Sequence, residues 1–234
     1  MTGAARLAAR AAQRAGAGVV WIASSLETAD HYRSNLESCI VKTEPWAELL
    51  AAGRCSAALI GPGYGVCEQT RKNVLALLAS GIPCVLDADA LTSFEQHRSA
   101  LFTDLHDRVI LTPHAREYAR LFDTTDVQDA AHQAQCTIVL KGQYTQIASP
   151  SGELITNTNA PPELATAGSG DVLAGLITGL LAQGMPPFYA AAAAVWLHGQ
   201  AAQAFGPGLI AEDLNAMLPA VLRGLSYEKS SKII

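Results

Sequence analysis

Gly168-Ser169-Gly170 runs directly into Asp171 and then into the apolar stretch Val172 to Leu181. Two glycines around a serine at the mouth of a helix let the backbone approach a ligand closely. They also aim free N–H groups, with the positive end of the helix dipole, at an anion. A carboxylate repels phosphate, so Asp171 makes chemical sense here as a base, taking the proton from a hydroxyl as that hydroxyl is phosphorylated. The plainer alternative is a helix cap, a role Asp commonly fills. The motif alone supports both.

A second segment, Val139-Leu140-Lys141-Gly142-Gln143-Tyr144-Thr145, reads as a buried strand with Lys-Gly at its carboxyl end. Lys141 there could reach a phosphate or an adenosine, or be a surface lysine before a turn, which is the better reading of the segment by itself. Gly61-Pro62-Gly63-Tyr64-Gly65 lies between a strand and a helix and suggests a dinucleotide loop, but Val66 stands where a third glycine is needed and Pro62 stiffens the turn. It serves equally as a tight βα turn. Asp87 and Asp89 put two carboxylates at a strand end, where capping of the next helix is favoured over orienting water or a cation. His114, in Leu111-Thr112-Pro113-His114, also follows a strand and is either a loop residue with a function or a helix start. His198 sits mid-helix on an apolar background and reads as a core histidine.

The elements that must position these residues follow from period and punctuation. Short apolar runs at Val19 to Ala23, Ala57 to Ile60, Cys84 to Leu86, Val109 to Leu111 and Thr137 to Leu140 read as strands. Between them lie helical patterns at Ala4 to Ala15, Glu68 to Ser80, Arg116 to Leu121 and Val127 to Ala134. This alternation predicts an α/β fold with a parallel sheet covered on both faces, binding ligands beyond the carboxyl ends of its strands. Thr145 to Ala148 and Glu153 to Thr156 flank Ser149-Pro150-Ser151-Gly152 and predict a late β-hairpin. Three helices close the chain, at Gly170 to Gln183, Pro187 to Phe205 and Glu212 to Leu222.

Half of the 234 residues are apolar, with no linker or low-complexity run, which predicts a single domain over residues 1–234. A net charge of −5 with scattered Lys and Arg argues against a nucleic-acid surface. The five cysteines, Cys39, Cys55, Cys67, Cys84 and Cys136, include no C-x-x-C pair, which fits reduced thiols in a cytoplasm and predicts no metal site. The Ala-rich stretch Ala190 to Ala204 is broken by His198, Gln200 and Gln203, so no membrane helix is expected. Arg6, Arg10 and Arg14 give the first segment a transit-peptide look, but its run into Val19 to Ala23 favours an ordinary surface helix with an arginine stripe.

Taken together and in order, Thr2-Gly3-Ala4-Ala5, Gly61 to Gly65, Leu86 to Leu91, Leu111 to His114, Leu140 to Thr145 and Ala165 to Asp171 resemble the ADP-dependent (in eukaryotes ATP-dependent) NAD(P)H-hydrate dehydratases. The specificity lies in the set. The resemblance implies a ribokinase-like three-layer fold with a mostly parallel central sheet. It also implies a repair reaction: a nucleotide phosphorylates the hydroxyl of the hydrated nicotinamide ring of NADHX or NADPHX, and loss of phosphate restores NADH or NADPH. Carried over residue by residue, Asp171 is the base and Gly168, Ser169 and Gly170 form the anion hole. Lys141, Gly142, Gln143, Tyr144 and Thr145 bind the nucleotide, while Ala4, Gly63, Gly65, His114 and Asp171 line the hydrated-dinucleotide site. ADP or ATP is then the co-substrate, with Mg²⁺ accompanying it, and an NAD(P)H-hydrate epimerase is the implied fused or functionally coupled partner.

Two departures from that pattern carry expectations. Family members place a strand ending in Gly-Gly-Ser before the Thr-Gly-Ala-Ala helix, whereas here Met1 directly precedes Thr2. Absence of that strand predicts unpaired sheet edges and a hole beside the Gly61 to Gly65 loop. Asn159 to Leu164 replaces the usual Asn-Pro-Gly-Met at the same loop length, predicting local differences only. A small-molecule kinase of the same fold, or a truncated adenine-nucleotide binder without turnover, are the rival functions; a homo-oligomer stays open.

Overall fold

In a computed structural model, residues 1–230 are described. The chain runs α1 (Thr2–Arg14), β1 (Val20–Ala23), α2 (Leu26–Arg33), β2 (Cys39–Lys42), α3 (Trp46–Ala51), β3 (Ala58–Ile60), α4 (Glu68–Ala79) and β4 (Cys84–Leu86). It continues through α5 (Asp89–Thr92), α6 (Arg98–Asp104), β5 (Val109–Leu111), α7 (Ala115–Leu121), α8 (Val127–Ala134), β6 (Thr137–Leu140), β7 (Thr145–Ala148) and β8 (Leu154–Asn157). Helices α9 (Ser169–Leu181), α10 (Pro187–Phe205) and α11 (Ala211–Ser230) follow. The expected strands are all present with ends moved by a residue or less, but β2, α2, α3, α5 and α6 were not foreseen. All five are short, and none carries a long enough apolar period to stand out from loop sequence.

Strands β3 to β8 form a six-stranded sheet in sequential order, parallel through β6 and antiparallel in the β6–β7–β8 meander. The turn between β7 and β8 forms as expected, with Gly152 at φ 93 and its N–H donated to the Ser149 carbonyl. Successive strand residues point to opposite faces, and both faces are dry. Val85, Ile110, Val139 and Ile147 pack under α9, α10 and α11, whereas Cys84, Leu86, Val109, Leu111 and Ile138 pack under α4 to α8. Helices on both faces of a largely parallel sheet give the three layers.

Helix α1 is more than the surface helix expected from its arginines. Its alanine face, Ala4, Ala8, Ala11 and Ala12, is buried, and it lies backbone to backbone on α9. A Cβ on Gly175 would fall 2.2 Å from the Ala8 carbonyl oxygen, and one on Gly179 would fall 2.5 Å from that of Ala12. Glycine at these two places is what lets the helices touch.

Strands β1 and β2 pair parallel as a separate two-stranded sheet. One edge of β1 and the outer edge of β3 are unpaired, and both border a cavity of about 530 Å³ lined by Ala8, Ala12, Ile22, Leu59, Gly63 and Gly175 among others. The expected hole beside the Gly61 to Gly65 loop is therefore present. The Met1 ammonium donates to the Gly63 carbonyl at 2.7 Å, at the carboxyl end of β3.

Candidate active site

Three adjacent strand ends deliver three polar side chains to one line. Asp87 follows β4, Thr112 follows β5 and Lys141 follows β6, and the order β4–β5–β6 sets them side by side. The Thr112 hydroxyl donates to Asp87 Oδ1 at 2.8 Å, and Lys141 Nζ donates to the same oxygen at 2.7 Å. Asp87 is 2 % exposed and the Lys141 side chain 20 %. Lys141 is thus an anchored cation, not a surface lysine before a turn. The capping role expected for Asp87 and Asp89 is also corrected: Ala88 precedes α5, and no side chain caps it. Asp89 Oδ2 instead accepts the Gly65 N–H at 2.7 Å, which holds the Gly-rich loop.

The N-terminus of α9 meets this line of charges. Gly168 takes φ 89, the left-handed conformation that favours glycine, and a Cβ there would lie 2.7 Å from Leu7 and 3.0 Å from Ala211. The turn is therefore wedged between α1 and α11. Ser169 Oγ donates to the Leu164 carbonyl at 2.8 Å, while the Gly170 and Asp171 N–H groups meet no acceptor among the described residues. Two free donors on a helix axis are the arrangement that can receive an anion. Lys141 Nζ lies 3.6 Å from where a Gly170 Cβ would stand, so a cation flanks the donors.

Asp171 makes no capping bond, and its carboxylate has no hydrogen-bond partner among the described residues. Burial is the first cause that raises its pKa, to about 6, with Asp87 adding to the rise, Lys141 opposing it and Asp89 adding a little. A half-buried, unpartnered carboxylate tuned towards neutrality suits a general base. His198 is buried as expected, but its place was missed from sequence: the ring lies against the Ser169 backbone, directly beneath the turn. Burial pushes its pKa down to about 4, and Nε2 has no partner. It is a neutral floor to the site.

The other foreseen positions are distributed around this centre. Gly142 closes a tight turn with Thr145, whose hydroxyl donates to the Gly142 carbonyl at 3.0 Å, while Gln143 and Tyr144 stand exposed at its tip. His114 is the N-cap of α7, in a capping box with Glu117, and its backbone bridges to Lys141. Gly63 and Gly65, both at positive φ, shape the loop beside Met1 and Asp89. Ala4 is buried at the start of α1. Strand order sets His114 beside Lys141, and Lys141 and Asp89 in turn act on Asp171, Asp89 also holding the Gly63 to Gly65 loop. The residues that sequence reasoning left out are Asp87 as partner of Lys141 and Thr112 between them. Their signal was position at consecutive strand ends, legible only once strand order is known.

The sequence family described as NAD(P)H-hydrate dehydratase matches residues 1–219. The bifunctional NAD(P)H-hydrate repair enzyme Nnr of Moorella thermoacetica is 37% identical, over 97% of this chain and 48% of its own length. The ADP-dependent (S)-NAD(P)H-hydrate dehydratase of Neisseria meningitidis serogroup B is 38% identical, over 86% of this chain and 72% of its own. The chain thus spans about half the length of the bifunctional relative and most of the shorter one. Among solved structures, the ADP/ATP-dependent NAD(P)H-hydrate dehydratase of Bacillus subtilis, co-crystallised with ATP/Mg²⁺, superposes with a TM-score of 0.81 at 30% identity, over 95% of this chain and 85% of that one. The fold is accordingly the ribokinase-like one that the family resemblance implied. With a family match running through the anion turn, Lys141 and the Gly-rich loop alike, the chain belongs to the NAD(P)H-hydrate dehydratases.

Proposed function

We propose that this chain dehydrates hydrated NADH or NADPH at the expense of an adenine nucleotide, acting as one domain over residues 1–234. The observation that carries this is the unpartnered Asp171 carboxylate beside two free N–H donors and the Lys141 ammonium. The terminal phosphate of ADP or ATP lies against the Gly170 and Asp171 N–H groups, where the helix dipole and Lys141 neutralise transferring charge. The ring hydroxyl attacks the terminal phosphorus. An O–P bond forms, the bridging P–O bond to the rest of the nucleotide breaks, and the hydroxyl proton passes to Asp171. The phosphorylated carbon then loses phosphate with its C–O bonding pair, and a proton leaves the neighbouring carbon to restore the ring double bond. The products are NAD(P)H, inorganic phosphate and the shortened nucleotide.

In this reading Gly142, Gln143, Tyr144 and Thr145 hold the nucleotide beyond Lys141, and Ala4, Gly63, Gly65 and His114 border the dinucleotide. No group of three or more acidic, His or Cys side chains among the described residues could cage a metal. Magnesium binds through one or two carboxylates together with substrate phosphates, so it would arrive with the nucleotide and would supply further charge neutralisation there. The shared length with bifunctional repair enzymes supports coupling to an epimerase activity. All five cysteines are free, which supports a cytoplasmic setting, and among the described residues no helix is long and apolar enough to cross a membrane.

Product identity tests the function. Phosphorus NMR of a reaction containing hydrated NADH, magnesium and ADP should show AMP and free phosphate rising together with near-ultraviolet absorbance of NADH. A stable phosphorylated dinucleotide would assign a kinase instead, and ADP binding without any product would leave only a nucleotide-binding protein.

A further inference from the structure

We propose that Asp87 is a positioning residue of this site, holding the Lys141 ammonium at the edge of the anion turn and setting the charge that surrounds Asp171. The proposal rests on the phosphoryl-transfer reading above. Asp87 is nearly inaccessible, yet one of its oxygens receives both Lys141 and Thr112. Lysine has a long flexible stem, and a fixed carboxylate is what confines its head to one place. The Asp87 backbone is itself fixed. A Cβ on Gly61 would fall 1.7 Å from the Asp87 carbonyl oxygen, so the Gly-rich loop lies directly on it.

The next residue carries strain. Ala88 has φ 48 and ψ −115, a conformation that is costly for any residue with a Cβ and that persists where surrounding contacts enforce it. This kink sends the two carboxylates of Asp87-Ala88-Asp89 to different places, Asp87 to Lys141 and Asp89 to the Gly65 N–H. One short segment therefore ties the nucleotide side of the site to the Gly-rich loop on the other.

The groups around Asp171 are few. Asp87 and Lys141 act on it from the sheet and Asp89 from α5, while the neutral His198 of α10 lies against the Ser169 backbone. Helices α1 and α11, which also pack on α9, contribute Arg6, Glu212 and Asp213 as their nearest charged residues along the sequence. The order of influence on Asp171 is burial, then Asp87, then Lys141 with opposite sign. Removing the Asp87 charge both deletes a repulsion and leaves Lys141 unneutralised, so both effects favour the ionised Asp171.

The test is the ionisation of Asp171 followed by carbon-13 NMR of labelled aspartate carboxyls in nucleotide-free protein, with Asp171→Asn as the assignment. The parent is compared with Asp87→Asn and with Asp87→Asn/Lys141→Gln. The double variant leaves no buried unpaired charge and so remains informative if the single variant fails to fold. Asp171 should titrate highest in the parent, lower in the double variant and lowest in Asp87→Asn, with a drop on the order of one pH unit for the single change. In turnover assays the acidic limb should move to lower pH in the same order, with a reduced plateau. Identical Asp171 titration in all three proteins would overturn the proposal. The NMR needs no turnover, so an inactive parent would defeat the proposed reaction while leaving this measurement to decide the role of Asp87.

Discussion

Asp171 and Lys141 should show opposite sensitivities, because one is a charge without a partner and the other is half of a pair. The folded-state pKa of Asp171 is raised above the ordinary carboxylate value to about 6. Such a group contributes stability in full below its unfolded pKa and loses it as pH rises through the folded one. At pH 7 its ionised form is therefore a burden on the fold. Asp171→Asn should melt at a higher temperature than the parent at pH 7, with the gain vanishing near pH 4; equal melting temperatures at both pH values would mean the carboxylate is well solvated. Lys141→Ala should instead destabilise by about 3–5 kcal/mol in denaturant titrations, since it strands the buried Asp87 carboxylate. It should also weaken ADP binding more than binding of the hydrated dinucleotide, and adding Asp87→Asn should restore much of the stability but not the ADP affinity. Residue types and spacing left Asp171 between base and cap and favoured a surface reading of Lys141; the family resemblance is what assigned both to the site. The ion pair could not be read, because Asp87 and Lys141 are 54 positions apart and only strand order makes them neighbours.

Helix α9 aims its N-terminus correctly because α1 lets it come close. Gly175→Ala would drive a methyl into the Ala8 carbonyl, with backbone on both sides and no flexible side chain to yield. It should cost roughly 1–3 kcal/mol or more of stability, seen as a lower melting temperature, and should weaken ADP binding by tilting the anion turn. A stable variant with unchanged affinity would show that the two helices are not in register as described. The apolar, mostly buried elements were legible: β4, β5, β6, β7, α8 and α10 occupy the expected residues. Missed elements such as β2 and α3 are short and partly exposed, so burial left little pattern in them. The role of Ala88 was also invisible, because its positive φ is imposed by the loop and helix around it and not by residue type.

At the scale of the molecule, the division into a six-stranded and a two-stranded sheet makes stability uneven. The β1–α2–β2 unit rests on a cluster of Ala9, Ile22, Tyr32 and Leu36, far smaller than the clusters on either face of the main sheet. Hydrogen exchange should be faster in β1 and β2 than in β4, β5 and β6. An engineered extension of alternating apolar residues ahead of Met1 begins at the carboxyl end of β3, beside the cavity between the sheets. By pairing the open edges it should raise the melting temperature and slow exchange in β1; an unchanged melting temperature would show that the cavity is not a strand slot. The three-layer plan and the site at the strand ends were both foreseeable from alternating periods, and the cavity was expected from the family pattern and not from the residues present. These elements all bear on the function proposed above, that the chain restores hydrated NADH with Asp171 as base. The direct test is NADH formation by near-ultraviolet absorbance with magnesium and ADP, on parent and Asp171→Asn samples matched for folding and for ADP affinity. The account predicts steady turnover by the parent, half-maximal near pH 6, and a loss of roughly 10²–10⁴-fold in the variant with ADP still bound. Turnover by Asp171→Asn within a few-fold of the parent would contradict it.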